Sequence, residues 1–328
     1  MNTTAPVVDH AILVLDDEQS IVNAIRRELS TPPLGRYRYA VEVFTDPKAA
    51  LARAKEKEFE VVLTDYRMPE MDGLEFLKAF ATLQPESVRI VLSGQTDFDS
   101  LVRMVNETHI YRFIPKPWNI NFLKSSIFQA IRFREANIEN RRLAEMLSQN
   151  GIGLPAGFST STDQILVVDR SVNVADAVAS SLAKYDQLNE VFREVQVEIH
   201  GHATDLKPGT INVQIADSPS HAMELANDHT FSCIIADYRM PGMDGAEFLA
   251  RFIDKQPDCA CLILSAVVDM ESLITTLDLA HINAFLTKPW VDYDLNVAVA
   301  QALTQRRLQL ENREFARMCQ ERNLGTVG

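Results

Sequence analysis

The sequence predicts two doubly wound α/β domains on parallel sheets, each followed by a long helix. Three observations carry that expectation. A long block of the first half recurs in the second half at constant spacing. Short, near-continuous apolar runs alternate with amphipathic stretches, as parallel strands covered on both faces should. The unusual polar residues all fall where an apolar run ends.

The repeat comes first because it sets the domain count. The segment DYRMPEMDGLEFL from Asp65 returns as DYRMPGMDGAEFL from Asp237, a spacing of 172. The same spacing carries Ser93 onto Ser265, Phe113 onto Phe285, and Lys116-Pro117-Trp118 onto Lys288-Pro289-Trp290. It also carries Glu139-Asn140-Arg141 onto Glu311-Asn312-Arg313. Agreement over that distance means duplication of a whole domain with its trailing helix, in a unit too long for a solenoid. Toward the N-terminus the spacing shortens. Asp16 matches Asp169 at 153, so the second copy carries 19 extra residues between Tyr185 and Ile211. That insertion includes EIHGHATDLKPG, whose His200 and His202 read as loop surface rather than as a metal site.

Within the first copy the strands are AILVL before Asp16, YAVEVF at 39–44, EVVLT before Asp65, VRIVLS to Ser93 and IYRFI before Pro115. Helical stretches lie between them: Glu18 to Leu29, Pro47 to Lys57, Gly73 to Leu83, Asp97 to Asn106, and a long one from Ile120. Five strand–helix units make a doubly wound domain. The expected boundaries are 8–130 for the first domain, 131–162 for a helical extension and linker, and 163–305 for the second domain with its insertion at 186–210. A C-terminal helical extension and tail at 306–328 completes the chain, ERNLGTVG reading as a frayed end.

Composition narrows the class. The 328 residues hold 32 Lys+Arg against 45 Asp+Glu, a net charge of −13, which disfavours non-specific nucleic-acid binding. Arg132, Arg134, Arg141 and Arg142 alternate with Glu135, Glu139 and Glu145, the pattern of a solvated helix face. No apolar run approaches the roughly 20 residues of a membrane span, and MNTTAPVVDH lacks the features of a signal peptide. A cytoplasmic protein without a membrane partner is expected. Cys233, Cys259, Cys261 and Cys319 form no CxxC pair and read as buried, reduced thiols.

Ligand sites in doubly wound sheets lie beyond the carboxyl ends of the strands. Asp16 and Asp17 end the first strand, Asp65 the third and Ser93 the fourth, and Lys116 follows the fifth. Converging carboxylates repel unless a cation joins them, and Mg2+ suits such oxygen donors and bridges them to phosphate. The Lys116 ammonium and Ser93 hydroxyl could meet phosphoryl oxygens, and an Asp carboxylate attacking phosphorus forms an aspartyl phosphate. Any one of these acids alone could be a helix cap. Their gathering at one edge favours chemistry.

The combination LDD, DYRMPEMDG, LSG and FIPKPW resembles the receiver domains of bacterial response regulators, which include the single-domain chemotaxis regulator. The resemblance covers about 8–130 and again 163–305. It implies two flavodoxin-like (βα)5 receiver domains with sheet order 2-1-3-4-5. It further implies Asp65 as phosphoacceptor, served by a phosphohistidine on a histidine kinase or phosphotransfer protein. By the same resemblance Asp16, Asp17, Asp65 and the backbone carbonyl of Arg67 hold Mg2+, Ser93 and Phe113 form the switch pair, and Lys116–Pro117 is a cis peptide. Gly94 is small where phosphate approaches. Arg67 and Gln95 line the path of attacking water, and the bulk of Arg67 implies slow hydrolysis.

The second copy keeps Asp237 as a second candidate phosphoacceptor, with Ser265, Phe285 and Lys288, but reads VVDRS where the first reads VLDDE. Arg170 thus stands where Asp17 stood, replacing an acid by a fixed positive charge. Two outcomes stay open: Arg170 pairs with Asp169 or Asp237 in place of the metal, which is favoured, or it turns to solvent and leaves a weakened site. The trailing helices, about Ile120 to Leu147 and Asp292 to Arg322, exceed what covers one sheet. Ile131, Ile138 and Met146, or Leu303, Leu310 and Phe315, keep no clean heptad. A homodimer through these helices and packing within the chain both stay open.

The functional expectation is a two-component response regulator that switches binding to a downstream protein partner. It is not an enzyme beyond its own phosphorylation and slow dephosphorylation, and the second receiver is degenerate or weakly phosphorylated. The alternative is the regulatory segment of a larger enzyme, a cyclic-dinucleotide phosphodiesterase or a hybrid histidine kinase.

Overall fold

The computed structural model describes residues 8–30, 37–94, 110–118, 120–154, 162–183, 210–240, 242–266, 282–322 and 324. The expected helix Asp97–Asn106, Gln95, His200 and His202 lie outside these residues. The chain divides into two compact units, Met1–Arg134 and Glu135–Gly328.

The first unit runs β1 (Val8–Leu15), α1 (Gln19–Leu29), β2 (Tyr37–Phe44), α2 (Pro47–Ala54), β3 (Val61–Asp65), α3 (Gly73–Leu83), β4 (Val88–Ser93), β5 (Arg112–Pro115) and α4 (Ile120–Gln149), the last continuing into the second unit. Its five strands pair in the order β2-β1-β3-β4-β5, each neighbouring pair parallel. The expected order 2-1-3-4-5 is therefore present. Burial explains why β3 sits centrally: all five of its residues are buried, which only a strand covered on both faces allows.

The second unit continues with β6 (Thr162–Val168), α5 (Val172–Leu182), β7 (Thr210–Ala216), α6 (Pro219–Asp228), β8 (Cys233–Asp237), the ribbon β9 (Arg239–Met240) and β10 (Met243–Asp244), α7 (Gly245–Lys255), β11 (Ala260–Ser265), β12 (Ile282–Thr287) and α8 (Asp292–Glu321). Its sheet, β7-β6-β8-β11-β12, repeats the topology of the first. Cys233, Cys259, Cys261 and Cys319 are buried free thiols, and burial pushes the first three well up in pKa, so they serve as small apolar groups.

Local chemistry sets the element ends. Asp72 caps α3 through Oδ1, which accepts from the Glu75 amide at 2.8 Å, while Glu75 reaches back to the Asp72 amide. Asp244 caps α7 in the same way, accepting from the Glu247 amide at 2.7 Å. Buried Gln84 holds the turn between α2 and β3. Its Oε1 accepts from the Phe59 amide, and its Nε2 donates to the Ala54 and Lys57 carbonyls. Gln256 makes the same three bonds in the second unit, to Phe231, Ala226 and His229.

The trailing helices carry a heptad, on positions other than the Ile131, Ile138, Met146 and Leu303, Leu310 sets that keep none. From Ala136 onward α4 lies beside α8 within the second unit. Ala136, Asn140, Leu143 and Leu147 form its seam, facing Leu308, Asn312, Phe315 and Cys319 at steps of four, three and four residues. An apolar search misses this heptad because Asn140 and Asn312 occupy one of its layers. Asn312 Nδ2 donates to the Ala136 carbonyl at 2.9 Å, and Asn140 Nδ2 donates to Glu311 Oε2 at 3.4 Å. Of the arginines read as a solvated helix face, Arg142 forks the Glu139 carboxylate, while Arg134 donates to the Glu86 carbonyl at 3.2 Å.

One backbone position separates the copies. Glu70 has φ +66°, while the matching residue is Gly242 at φ +87°. A side chain in this left-handed region costs about 1–2 kcal/mol, against about 0.5–1 kcal/mol of extra unfolded-state entropy for glycine. Glu70→Gly should therefore stabilise the protein by about 0.5–1 kcal/mol in denaturant unfolding, because its exposed Lys48 pair contributes little. Destabilisation on that substitution would contradict the account.

Candidate functional site

Both sheets present their acids at the carboxyl edge. In the first unit Asp16 follows β1 directly and Asp65 ends β3, and both are buried. Sheet hydrogen bonds fix their backbones: the Asp16 amide donates to the Phe44 carbonyl, and the Tyr66 amide to that of Leu92. Lys116 reaches in from the end of β5. Its Nζ donates to Asp16 Oδ2 at 2.6 Å and also pairs with Asp65 Oδ1. The remaining carboxylate oxygens are oriented by backbone amides. Glu18 N donates to Asp16 Oδ1 at 3.0 Å and Arg67 N donates to Asp65 Oδ2 at 2.8 Å.

The electrostatics follow from burial. Loss of solvent pushes the Asp16 carboxyl up from the ordinary carboxylate range, opposed by Lys116 and the Glu18 amide and reinforced by the Asp65 charge. For Lys116, burial alone would lower the pKa, but its bonds to Asp16 and Asp65 outweigh that and the net shift is upward.

The other expected residues fall as follows. Asp17 is exposed beside buried Asp16. Ser93 ends β4, in register with Pro115, and Phe113 on β5 is buried. Gly94 faces open space. Lys116–Pro117 and Lys288–Pro289 are both cis.

The second unit reproduces the arrangement. Lys288 Nζ donates to Asp169 Oδ2 at 2.5 Å and to Asp237 Oδ1 at 2.9 Å, and Ser171 N donates to Asp169 Oδ1 at 2.8 Å. Ser265 is buried at the end of β11 and Phe285 is buried within β12. The favoured expectation for Arg170 is corrected here. Arg170 is exposed, and Lys288 bridges the two acids in its place. Arg170 and Asp17 thus share an exposed position.

Gly73 and Gly245 carry a role the sequence reading missed. A Cβ on Gly73 would lie 2.4 Å from the Asp65 carbonyl oxygen, and one on Gly245 would lie 2.3 Å from that of Asp237. Each glycine lets the first helical turn press against the backbone of the central acid. The signal was present in the twin MDG motifs at the repeat spacing.

Two buried carboxylates and the neighbouring Asp17 are hard oxygen donors, a set that fits a divalent cation. Among the described residues no three such groups already converge, since Asp16 and Asp65 meet on Lys116. No helix among these residues is long and apolar enough to cross a membrane.

A paired acid site clasped by lysine at the edge of a 2-1-3-4-5 sheet, present twice, marks a duplicated α/β module. The sequence pattern of the response regulator receiver domain matches residues 12–128 and 193–300, more than half of the chain. The chain belongs to that family. Its relatives include the hydrogenase transcriptional regulatory protein HoxA of Cupriavidus necator, 31% identical over 185 residues that make up 53% of this chain and 37% of that protein. The DNA-binding transcriptional regulator NtrC of Salmonella typhimurium is 27% identical over 132 residues, 40% of this chain and 27% of that protein. The chain thus spans only about a third of the length of such relatives. The crystal structure of a signal receiver domain of an HD domain-containing protein from Pseudomonas fluorescens Pf-5 is 26% identical, covering 39% of this chain and 98% of that one at TM-score 0.36.

The raised pKa of Asp16 gives a signed prediction. A carboxyl with a raised folded-state pKa contributes stability below its ordinary pKa and loses it as pH rises through the folded value. At neutral pH the ionised acid therefore costs stability. Asp16→Asn should raise stability by about 1 kcal/mol in the presence of a chelator, since Lys116 keeps Asp65 as its partner. The gain should shrink toward acid pH. A loss of stability at pH 7 would show that the Asp16–Lys116 pair is net favourable.

Proposed function

We propose that the chain is a two-component signalling protein in which Asp65 accepts a phosphoryl group from phosphohistidine on a kinase or phosphotransfer protein. One observation carries the reading: Asp65 is buried at the carboxyl edge with one oxygen fixed by the Arg67 amide and the other against Lys116. That geometry orients a nucleophile and supplies a countercharge where negative charge grows. An Asp65 oxygen attacks phosphorus, the nitrogen–phosphorus bond breaks, and the imidazole leaves with the bonding pair. Asp16, Asp17, Asp65 and the Arg67 carbonyl would hold Mg2+, which supplies positive charge against phosphoryl oxygens when bound. Lys116, already between Asp16 and Asp65, is placed to follow the new charge. Ser93 and Phe113, on the two strands beyond β3, are the residues to report it, through changed protein–protein contacts.

The second receiver accepts phosphate weakly or not at all in this reading. It keeps Asp169, Asp237 and Lys288, and it lacks the exposed acid at the position of Asp17. Arg170 there removes one oxygen donor and adds a positive charge at the cation's approach.

Labelling with a small phosphodonor and Mg2+ tests both statements. Asp65→Asn should lose nearly all label, and Asp237→Asn should keep nearly all. Arg170→Asp in the Asp65→Asn background should restore label, now at Asp237. Equal loss in the two asparagine variants would contradict the division of labour. Failure of Arg170→Asp to restore label would remove Arg170 as its cause.

A further inference from the structure

The helix seam of the second unit pairs residues with their own duplicates. Its buried cluster is Leu143, Ala144, Leu147, Phe315 and Cys319, with Met146, Ile152, Ala316, Met318 and Leu324 packed against it. The repeat spacing of 172 converts Leu143 into Phe315, Ala144 into Ala316, Met146 into Met318, Leu147 into Cys319 and Ile152 into Leu324. Every member of the cluster therefore has its duplicate in the same cluster. That happens only if α4 and α8 run parallel and in register. Even the helix ends match: the Ile152 amide donates to the Leu147 carbonyl and the Leu324 amide to that of Cys319, both at 3.0 Å. Ile152 follows Gly151 at φ +71°, whose amide bonds the Ser148 carbonyl, completing a Schellman closure with its apolar contact back onto the helix.

Parallel, in-register heptads with an asparagine layer are the geometry by which two copies of one helix self-associate. Here the two helices belong to one chain and are no longer identical. Across the seam Ala136 stands in the layer of Leu308, and Leu147 in that of Cys319, so large faces small. An α4–α4 pair of two molecules would set Ala136 against Ala136 and leave a void. An α8–α8 pair would set Phe315 against Phe315 and Cys319 against Cys319. The polar contacts are also heterotypic: Asn140 meets Glu311 and Asn312 meets the Ala136 carbonyl, while Glu139, the duplicate of Glu311, is forked by Arg142 instead.

We propose that this seam is a self-association interface turned inward: α4 and α8 of the same chain satisfy each other, and the protein is a single-chain counterpart of a dimer that does not pair through these helices with a second copy. The inference stands apart from whether Asp65 takes phosphate. It assigns the trailing helices their partner.

Thiol crosslinking on the full-length chain tests it. Leu147→Cys places a thiol in the layer of native Cys319, and the remaining cysteines are buried in or beside the second sheet. On treatment with diamide, which takes up the two thiol hydrogens, a disulfide between positions 147 and 319 should form within one chain. It should form about a thousandfold faster than any link between chains at micromolar protein, because tethered partners experience about millimolar effective concentration. The same substitution combined with Cys319→Ser should give no covalent dimer. Disulfide-linked dimers through position 147 or 319, or no 147–319 link at all, would overturn the proposal. Sedimentation provides a further check: the mass of one chain supports the inward seam, and the mass of two overturns it if that dimer also crosslinks through position 147 or 319.

Discussion

An ammonium shared by two buried carboxylates is the interaction on which each site depends. Asp16 and Asp65 are carried to the same edge by adjacent strands β1 and β3, whose neighbouring residues there are apolar apart from buried Thr64. Two like charges about 4 Å apart would repel by about 4 kcal/mol at the effective dielectric near a protein surface. Lys116 answers that repulsion, and it can do so because β5 ends at the same edge. The second unit arrives at the same solution with Asp169, Asp237 and Lys288. A site held together by one movable cation is also a site whose arrangement changes when another charge enters. That is why a signalling role suits it better than a purely structural one.

The duplication lets each copy serve as a control for the other. Gln84 and Gln256 close the same turn, Gly73 and Gly245 permit the same close approach, and both lysine–proline bonds are cis. Against that sameness the differences stand out. Glu70 occupies a backbone conformation that Gly242 fits without strain. Asp17 and Arg170 share a position facing solvent at the lip of the cleft. Since neither side chain is part of the buried acid–lysine contact, the exchange leaves the fold of the second site intact while altering what could bind above it.

Much of this was legible from residues alone. The sheet order followed from recognising the motif set, and the helix Gly73–Leu83 followed from its amphipathic spacing. The acids, Ser93 and Lys116 were legible because polar groups cannot sit at the ends of buried strands without a reason. Other features were hidden for physical causes. Gln84 looks like any surface glutamine until its three backbone partners are seen. The heptad was hidden because a seam layer can be polar, so Asn140 and Asn312 interrupted an apolar count while preserving the register. Arg170 was misjudged because Lys288 already satisfies both acids, which leaves the guanidinium exposed to solvent.

The central claim is that Asp65, and not its duplicate, takes the phosphoryl group. Acyl phosphates are reduced by borohydride to homoserine, which marks the modified residue permanently. Peptide mass analysis of the unaltered protein, treated with a phosphodonor and Mg2+ and then reduced, reads the site directly. The account predicts homoserine in place of aspartate at position 65 and unmodified aspartate at position 237. Homoserine at 237 in the same proportion as at 65, or at neither position, would contradict it.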